Sequence, residues 1–205
     1  MDLAKIQSVV ESTRPVQKTG KGFRVCNMRH PDQYRKPLDG GGANFSAGRF
    51  HVKGLGKVTY IAKDIRTALL EGRKASLHED KTLKGNYTDP FVVFSVNFNC
   101  RKVLDLTDEN LLDDMGITLA DTTGHWWLSP VDTITQIVGT FAYQSNRFDA
   151  ISYRSARNSV DKEDFDDEYD TNLAVFSGII KPGSYVEAIA PKFHEPDSSY
   201  SIGSR

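Results

Sequence analysis

The apolar residues of this chain fall in strand-sized runs, so its core must be assembled from many short elements. The longest run, Phe91–Phe98, places Phe91, Val93, Ser95 and Asn97 on one face and Val92, Phe94, Val96 and Phe98 on the other. The second set is the better core face of a strand. Further strands are expected at Phe23–Val25, Val58–Ala62, Lys102–Leu106, Phe148–Tyr153, Asn172–Phe176 and Ser184–Ala190. Helices are expected over Leu3–Ser12, over Ile65 to about His78 with Asp64 as N-cap, over Asp108–Met115 behind Thr107, and over Thr133–Gln144. Strands and helices are interspersed without a regular βαβ rhythm, which makes the fold class α+β.

At 205 residues and 39% hydrophobic content, the chain suits one domain with a sizeable core. Its 26 Lys and Arg against 27 Asp and Glu argue against direct nucleic-acid binding, which usually brings a basic excess, yet leave room for a local basic pocket. No run is long enough to span a membrane, and residues 1–5 open no apolar leader, so a soluble protein acting in a cytoplasm is expected. Export from the cell stays open. Cys26 and Cys100 lack metal-ligand spacing and read as reduced thiols. Residues 27–44, with Pro31, Pro37 and Gly40–Gly42, form a long polar loop of the kind that carries function. Asp161–Asp170 holds seven acidic residues and reads as a solvated insertion, and the Ser-rich tail from Lys192 as poorly ordered or draped on the surface.

There is no P-loop, no GxSxG, no HExxH and no paired CxxC, and no metal is expected. What stands out is an ordered series. Gly48-Arg49-Phe50-His51 precedes the strand Val58–Ala62, then Ala68-Leu69-Leu70-Glu71, then Arg101–Asp108, then Arg154-Ser155-Ala156-Arg157, then Asn172–Phe176. In this order the series resembles the RES domain, named for an Arg, a Glu and a Ser. The resemblance covers roughly residues 22–180. It sets a domain at 22–190 between an N-terminal extension, 1–21, and a tail, 191–205.

The resemblance implies a single α+β domain, like ADP-ribosyltransferases, with a split, mostly antiparallel sheet around an NAD⁺ cleft. It implies a toxin that consumes NAD⁺ as a substrate by hydrolysis or phosphorolysis, or one that moves ADP-ribose onto a protein acceptor. A non-catalytic NAD⁺-binding module is the third reading, opposed by the retained Arg49, Glu71 and Ser155. The partner implied is a cognate antitoxin or immunity protein; a homodimer stays open.

Breaking the nicotinamide–ribose bond develops positive charge on the ribose, so the site needs a carboxylate there, a cation for the diphosphate and an aromatic face for nicotinamide. Arg49 suits a phosphate through its planar fork. Glu71, twenty-two positions later, matches the family's Glu and would stabilise the developing charge. Ser155 has no Ser-His-Asp order near it and reads as a hydrogen-bonding ligand to NAD⁺. Arg24 or Arg29 would supply a second phosphate contact. Tyr60 would stack on nicotinamide or serve as a core tyrosine. His51 would contact the adenylate side or cap its turn, Arg157 would hold the ligand's charged portion, and Asn172 would orient a pocket residue. The family's Pro before Ser is Arg154 here.

Overall fold

The computed structural model describes residues 2–28, 36–72, 75–77, 83–85, 90–124, 129–156, 170–189 and 200–203. In chain order the helices are α1 (Leu3–Ser12), α2 (Ile65–Glu71), α3 (Glu109–Met115), α4 (Leu119–Thr123) and α5 (Ile134–Gln144). The strands are β1 (Val16–Asn27), β2 (Thr59–Ala62), β3 (Ala75–Leu77), β4 (Leu83–Gly85), β5 (Phe91–Asp105), β6 (Ala150–Arg154), β7 (Thr171–Val175), β8 (Tyr185–Ile189) and β9 (Tyr200–Gly203). The architecture is α+β, and among the described strands only β5–β6 pairs in parallel.

Strand β5 is the spine. One edge carries β1 from Val16↔Val103 to Asn27↔Phe91. The other carries β8 along Ser95–Asn99 and β6 along Val103–Asp105. Because β1 pairs with it from Phe91 as far as Val103, the expected strands Phe91–Phe98 and Lys102–Leu106 are one continuous strand of 15 residues. From β6 the sheet continues through β7 and β2 and meets β1 again at Phe23↔Ala62. This narrow seam requires Gly22, where a Cβ would lie 2.6 Å from the Ile61 side chain and 2.8 Å from the Ala62 carbonyl oxygen. Gly20–Gly22 therefore run inside β1, which begins well before the expected Phe23.

Strands β6 and β7 are buried on both faces, which is why they read as continuous apolar runs. Ile151, Tyr153, Ala174 and Phe176 face a core shared with the helices, while Ala150, Leu173 and Val175 face a second core with Val96, Phe98 and Cys100. The even-numbered face of Phe91–Phe98 is thus the core face, as its pattern requires. Helix α1 belongs to the first core: Ile6 and Val10 are fully buried, and Arg147 donates to the carbonyls of Val10 and Thr13 at 3.3 and 3.1 Å. Cys26 and Cys100 are buried and free.

Two further expectations are corrected. The helix from Ile65 ends at Glu71 instead of continuing to His78, because Gly72 packs against the Val25 side chain and the chain then enters the β3–β4 hairpin. The C-terminal tail supplies β9, which pairs with β8 from Ala188↔Tyr200 to Tyr185↔Gly203. The acidic insertion lies outside the described residues apart from Asp170. No described helix is long and apolar enough to cross a membrane.

Candidate active site

Beyond the seam at Phe23↔Ala62, β1 and β2 line a cavity of about 200 Å³. Arg24, Tyr60, Glu71, Tyr153 and Asn172 contribute to its wall, and Arg49 closes one side. Glu71 arrives there through short-range logic. Asp64 lies two positions past the end of β2 and accepts the Thr67 N–H at 3.0 Å, starting α2. Thr67, Ala68 and Leu70 are buried, and the last helical residue, Glu71, faces the cavity.

Two distant segments converge on Glu71. The Ser155 hydroxyl, just past β6, donates to Glu71 Oε1 at 3.0 Å. Asn172 Nδ2, on β7 opposite Tyr153, donates to the same oxygen at 3.2 Å. Ser155 is fully buried and Asn172 is 2% exposed, so both donors are held by packing. With both bonds on Oε1, Oε2 is the carboxylate oxygen left to a ligand. Ser155 thereby contacts the carboxylate and does not itself line the cavity.

The Arg49 turn is held from three sides. Arg49 is 5% exposed, and its Nη1 donates to the Thr122 and Gly124 carbonyls at 2.7 and 3.0 Å, at the end of α4. Gln136 Nε2 donates to the Gly48 carbonyl at 3.1 Å while its Oε1 accepts the Thr133 N–H at the start of α5. The Tyr60 hydroxyl accepts the Phe50 N–H at 3.0 Å and lies 2.9 Å from His51 Nδ1. His51 Nε2 is 3.0 Å from the Ser46 carbonyl, which can only accept. Nε2 therefore carries the proton, and Nδ1 accepts from Tyr60. Gly48 closes the bracket, since a Cβ there would sit 2.7 Å from His51 Nδ1 and 2.8 Å from the Tyr60 hydroxyl.

Burial pushes the Tyr60 hydroxyl well above its ordinary range, and does the same to Tyr153, so both remain protonated donors. Removing the Tyr60 hydroxyl in Tyr60→Phe strands the Phe50 N–H and His51 Nδ1. A loss of about 1–3 kcal/mol in urea-melt stability is expected. Burial also lowers the His51 pKa below its ordinary 6.5, with the Ser46 bond acting in the opposite direction. The unfolded chain then binds the extra proton first. The His51 contribution to stability is present above pH 6.5 and is lost as the pH falls below that value toward the folded pKa. Melting between about pH 7.5 and pH 5.5 is expected to fall further for the wild type than for His51→Gln.

The remaining sequence candidates divide. Arg24 is at the cavity, with Nη1 on the Tyr60 carbonyl at 3.0 Å. Arg29 and Arg157 lie outside the described residues. Tyr153 and Gln136 carry site geometry that sequence reasoning missed. Both follow the alternation or capping of their own element, and neither has a local feature marking a site. Among the described residues, no group of three or more His, Cys, Asp and Glu is placed to hold a metal.

A family model described as the RES domain matches residues 22–194. No curated protein matches the chain. Among solved structures, the M. tuberculosis MbcT-MbcA toxin-antitoxin complex contains a similar chain, with a TM-score of 0.62 and 15% identity. The match covers 98% of this chain and 94% of that one, a likeness of fold over nearly the whole of both.

Proposed function

The chain belongs to the RES domain family, and from that premise we propose that it is a toxin enzyme that cleaves the nicotinamide–ribose bond of NAD⁺. The observation that carries this reading is the Glu71 carboxylate, held on Oε1 by Ser155 and Asn172 at the wall of a cavity lined by Tyr60 and Arg24. Such a carboxylate stabilises a ribose that becomes cationic as the bond to nicotinamide breaks. The electron pair leaves with nicotinamide, which departs neutral because its ring was cationic in the substrate. Water or phosphate then adds at the ribose carbon and releases a proton to solvent.

In this reading the Tyr60 ring forms one wall for nicotinamide while its hydroxyl keeps the Gly48–His51 turn in shape. Arg24, at the cavity wall, meets the diphosphate; Arg29 as the alternative to it, and Arg157 for the ligand's charged portion, stand on sequence position alone. The Arg49 guanidinium, fixed on the α4 carbonyls through Nη1, lines the same cavity and supplies positive charge to the ligand. NAD⁺ is a substrate here, drawn from the cytoplasm in which the toxin acts. The solved complex it resembles holds a toxin with its antitoxin, and a cognate protein partner for this chain follows by extension.

Incubating purified protein with NAD⁺ and resolving products by mass tests the reaction. Free ADP-ribose establishes hydrolysis, and ADP-ribose-1″-phosphate formed only with phosphate present establishes phosphorolysis. A mass increment on a protein acceptor would replace both with ADP-ribosyl transfer, and an inert, folded protein would leave only a binding role.

A further inference from the structure

Helix α5 grips the Arg49 turn through Gln136 and Gly139, which lie on one face of the helix, about one turn apart. Gln136 is 5% exposed, and its Nε2 donates to the Gly48 carbonyl at 3.1 Å, on the peptide that leads into Arg49. Gly139 meets the residue on the other side of Arg49. A Cβ there would lie 2.1 Å from the Phe50 carbonyl oxygen and 2.9 Å from Phe50 Cα. Helix and turn therefore touch backbone to backbone, at a separation that leaves no room for a side chain.

The same helix supports the far end of the Arg49 side chain. It packs against α4, and the carbonyls of Thr122 and Gly124 at the end of α4 accept from the guanidinium. Gln136 cannot swing aside freely, because its Oε1 accepts the Thr133 N–H at 2.8 Å. Helix α5 is itself backed by α1, which packs on it, and Arg147 just past α5 holds the Val10 and Thr13 carbonyls. Neither Gln136 nor Gly139 lines the Glu71 cavity, so any effect of theirs on the reaction passes through the turn.

We propose that α5 is the positioning element of Arg49, with Gln136 and Gly139 setting the backbone on either side of it while α4 sets the guanidinium. The competing account is that both residues serve the core alone. A double-mutant cycle in the full-length protein separates the two. Gln136→Glu keeps an acceptor for the Thr133 N–H, and with it the start of α5, but removes the donor to Gly48 and sets an oxygen against that carbonyl. Gln136→Met, which removes the donor without adding charge, is the second variant. The proposal rests on the NAD⁺ reading of the cavity, so hydrogen exchange at the Phe50 and His51 amides is read beside NAD⁺ cleavage.

Gln136→Glu is expected to lower kcat/KM for NAD⁺ about tenfold in the wild-type background and less than about twofold in an Arg49→Lys background. Gln136→Met should show the same coupling. Both variants should speed exchange at Phe50 and His51 and leave Leu173 on β7 unaltered. Equal losses in the two backgrounds, or unchanged exchange at Phe50 and His51 in the folded variants, overturns the proposal. If wild type leaves NAD⁺ intact while the variants still speed exchange at Phe50 and His51, the α5 clamp stands and the cleavage reading falls. If NAD⁺ is cleaved while the cycle shows no coupling to Arg49, the clamp falls and the cleavage reading stands.

Discussion

Glu71→Gln is expected to lower NAD⁺ cleavage by about 10²–10³-fold while leaving the melting temperature almost unchanged. The substitution is close to isosteric. The amide oxygen can occupy the place of Oε1 and accept from Ser155 Oγ and Asn172 Nδ2, which lie 3.0 and 3.2 Å from it. What is lost is the negative charge, at the position where the ribose becomes positive. The loss should therefore appear in kcat more than in KM, because the ground-state ribose carries no such charge. Steady-state kinetics beside thermal melting separate this outcome from misfolding. A Glu71→Gln enzyme with wild-type turnover would remove the carboxylate from the chemistry.

The largest stability effect is expected away from the cavity, at Asp149. This carboxylate is fully buried and accepts the Lys102 N–H at 3.1 Å, the Lys181 N–H at 2.7 Å and the Ser184 hydroxyl at 2.7 Å. Ser184 in turn accepts the Arg101 N–H at 2.9 Å. One side chain thus ties the entry to β6 to both β5 and the turn before β8. Hydrogen bonds to a charged acceptor contribute about 1.5–3 kcal/mol each, and the stranded donors would stay buried. Asp149→Ala should cost about 4 kcal/mol or more in urea-induced unfolding. Asp149→Asn keeps one acceptor oxygen and should cost less. Equal stability of wild type and Asp149→Ala would show that water or a rearranged loop replaces the carboxylate.

The parts of the fold legible in sequence are those with a local cause. The alternation of Phe91–Phe98 marks its core face, and Asp64 marks the start of α2, because alternation and capping act over a few residues. The end of α2 was not legible. Ala75-Ser76-Leu77 is compatible with a helix, and the reason to stop lies at Gly72, whose neighbour Val25 is remote in sequence. Gly20–Gly22 likewise look like a break until β2 arrives against Gly22 and makes glycine the residue that fits.

The site divides the same way. Arg49, Glu71 and Ser155 were found through an ordered resemblance, since no local spacing predicts that Ser155, 84 positions after Glu71, donates to its carboxylate. The departure at Arg154, where the family has Pro, leaves Ser155 joined to Glu71, with Arg154 instead on Glu109 at 3.2 Å. Asp149 leaves no trace because its partners are delivered by distant elements, and Gln136 shows in sequence only as the capping-box partner of Thr133, its bond to the Gly48 carbonyl being long-range. Tyr60 keeps both readings open in sequence, and the structure gives its hydroxyl a structural task while its ring lines the cavity.

The bond of NAD⁺ that breaks is the decisive observable. Purified, folded wild-type protein should release free nicotinamide in step with the loss of NAD⁺, measured by chromatography of the reaction over time. Intact NAD⁺, or its conversion to nicotinamide mononucleotide and AMP by cleavage within the diphosphate, would contradict cleavage at the nicotinamide–ribose bond.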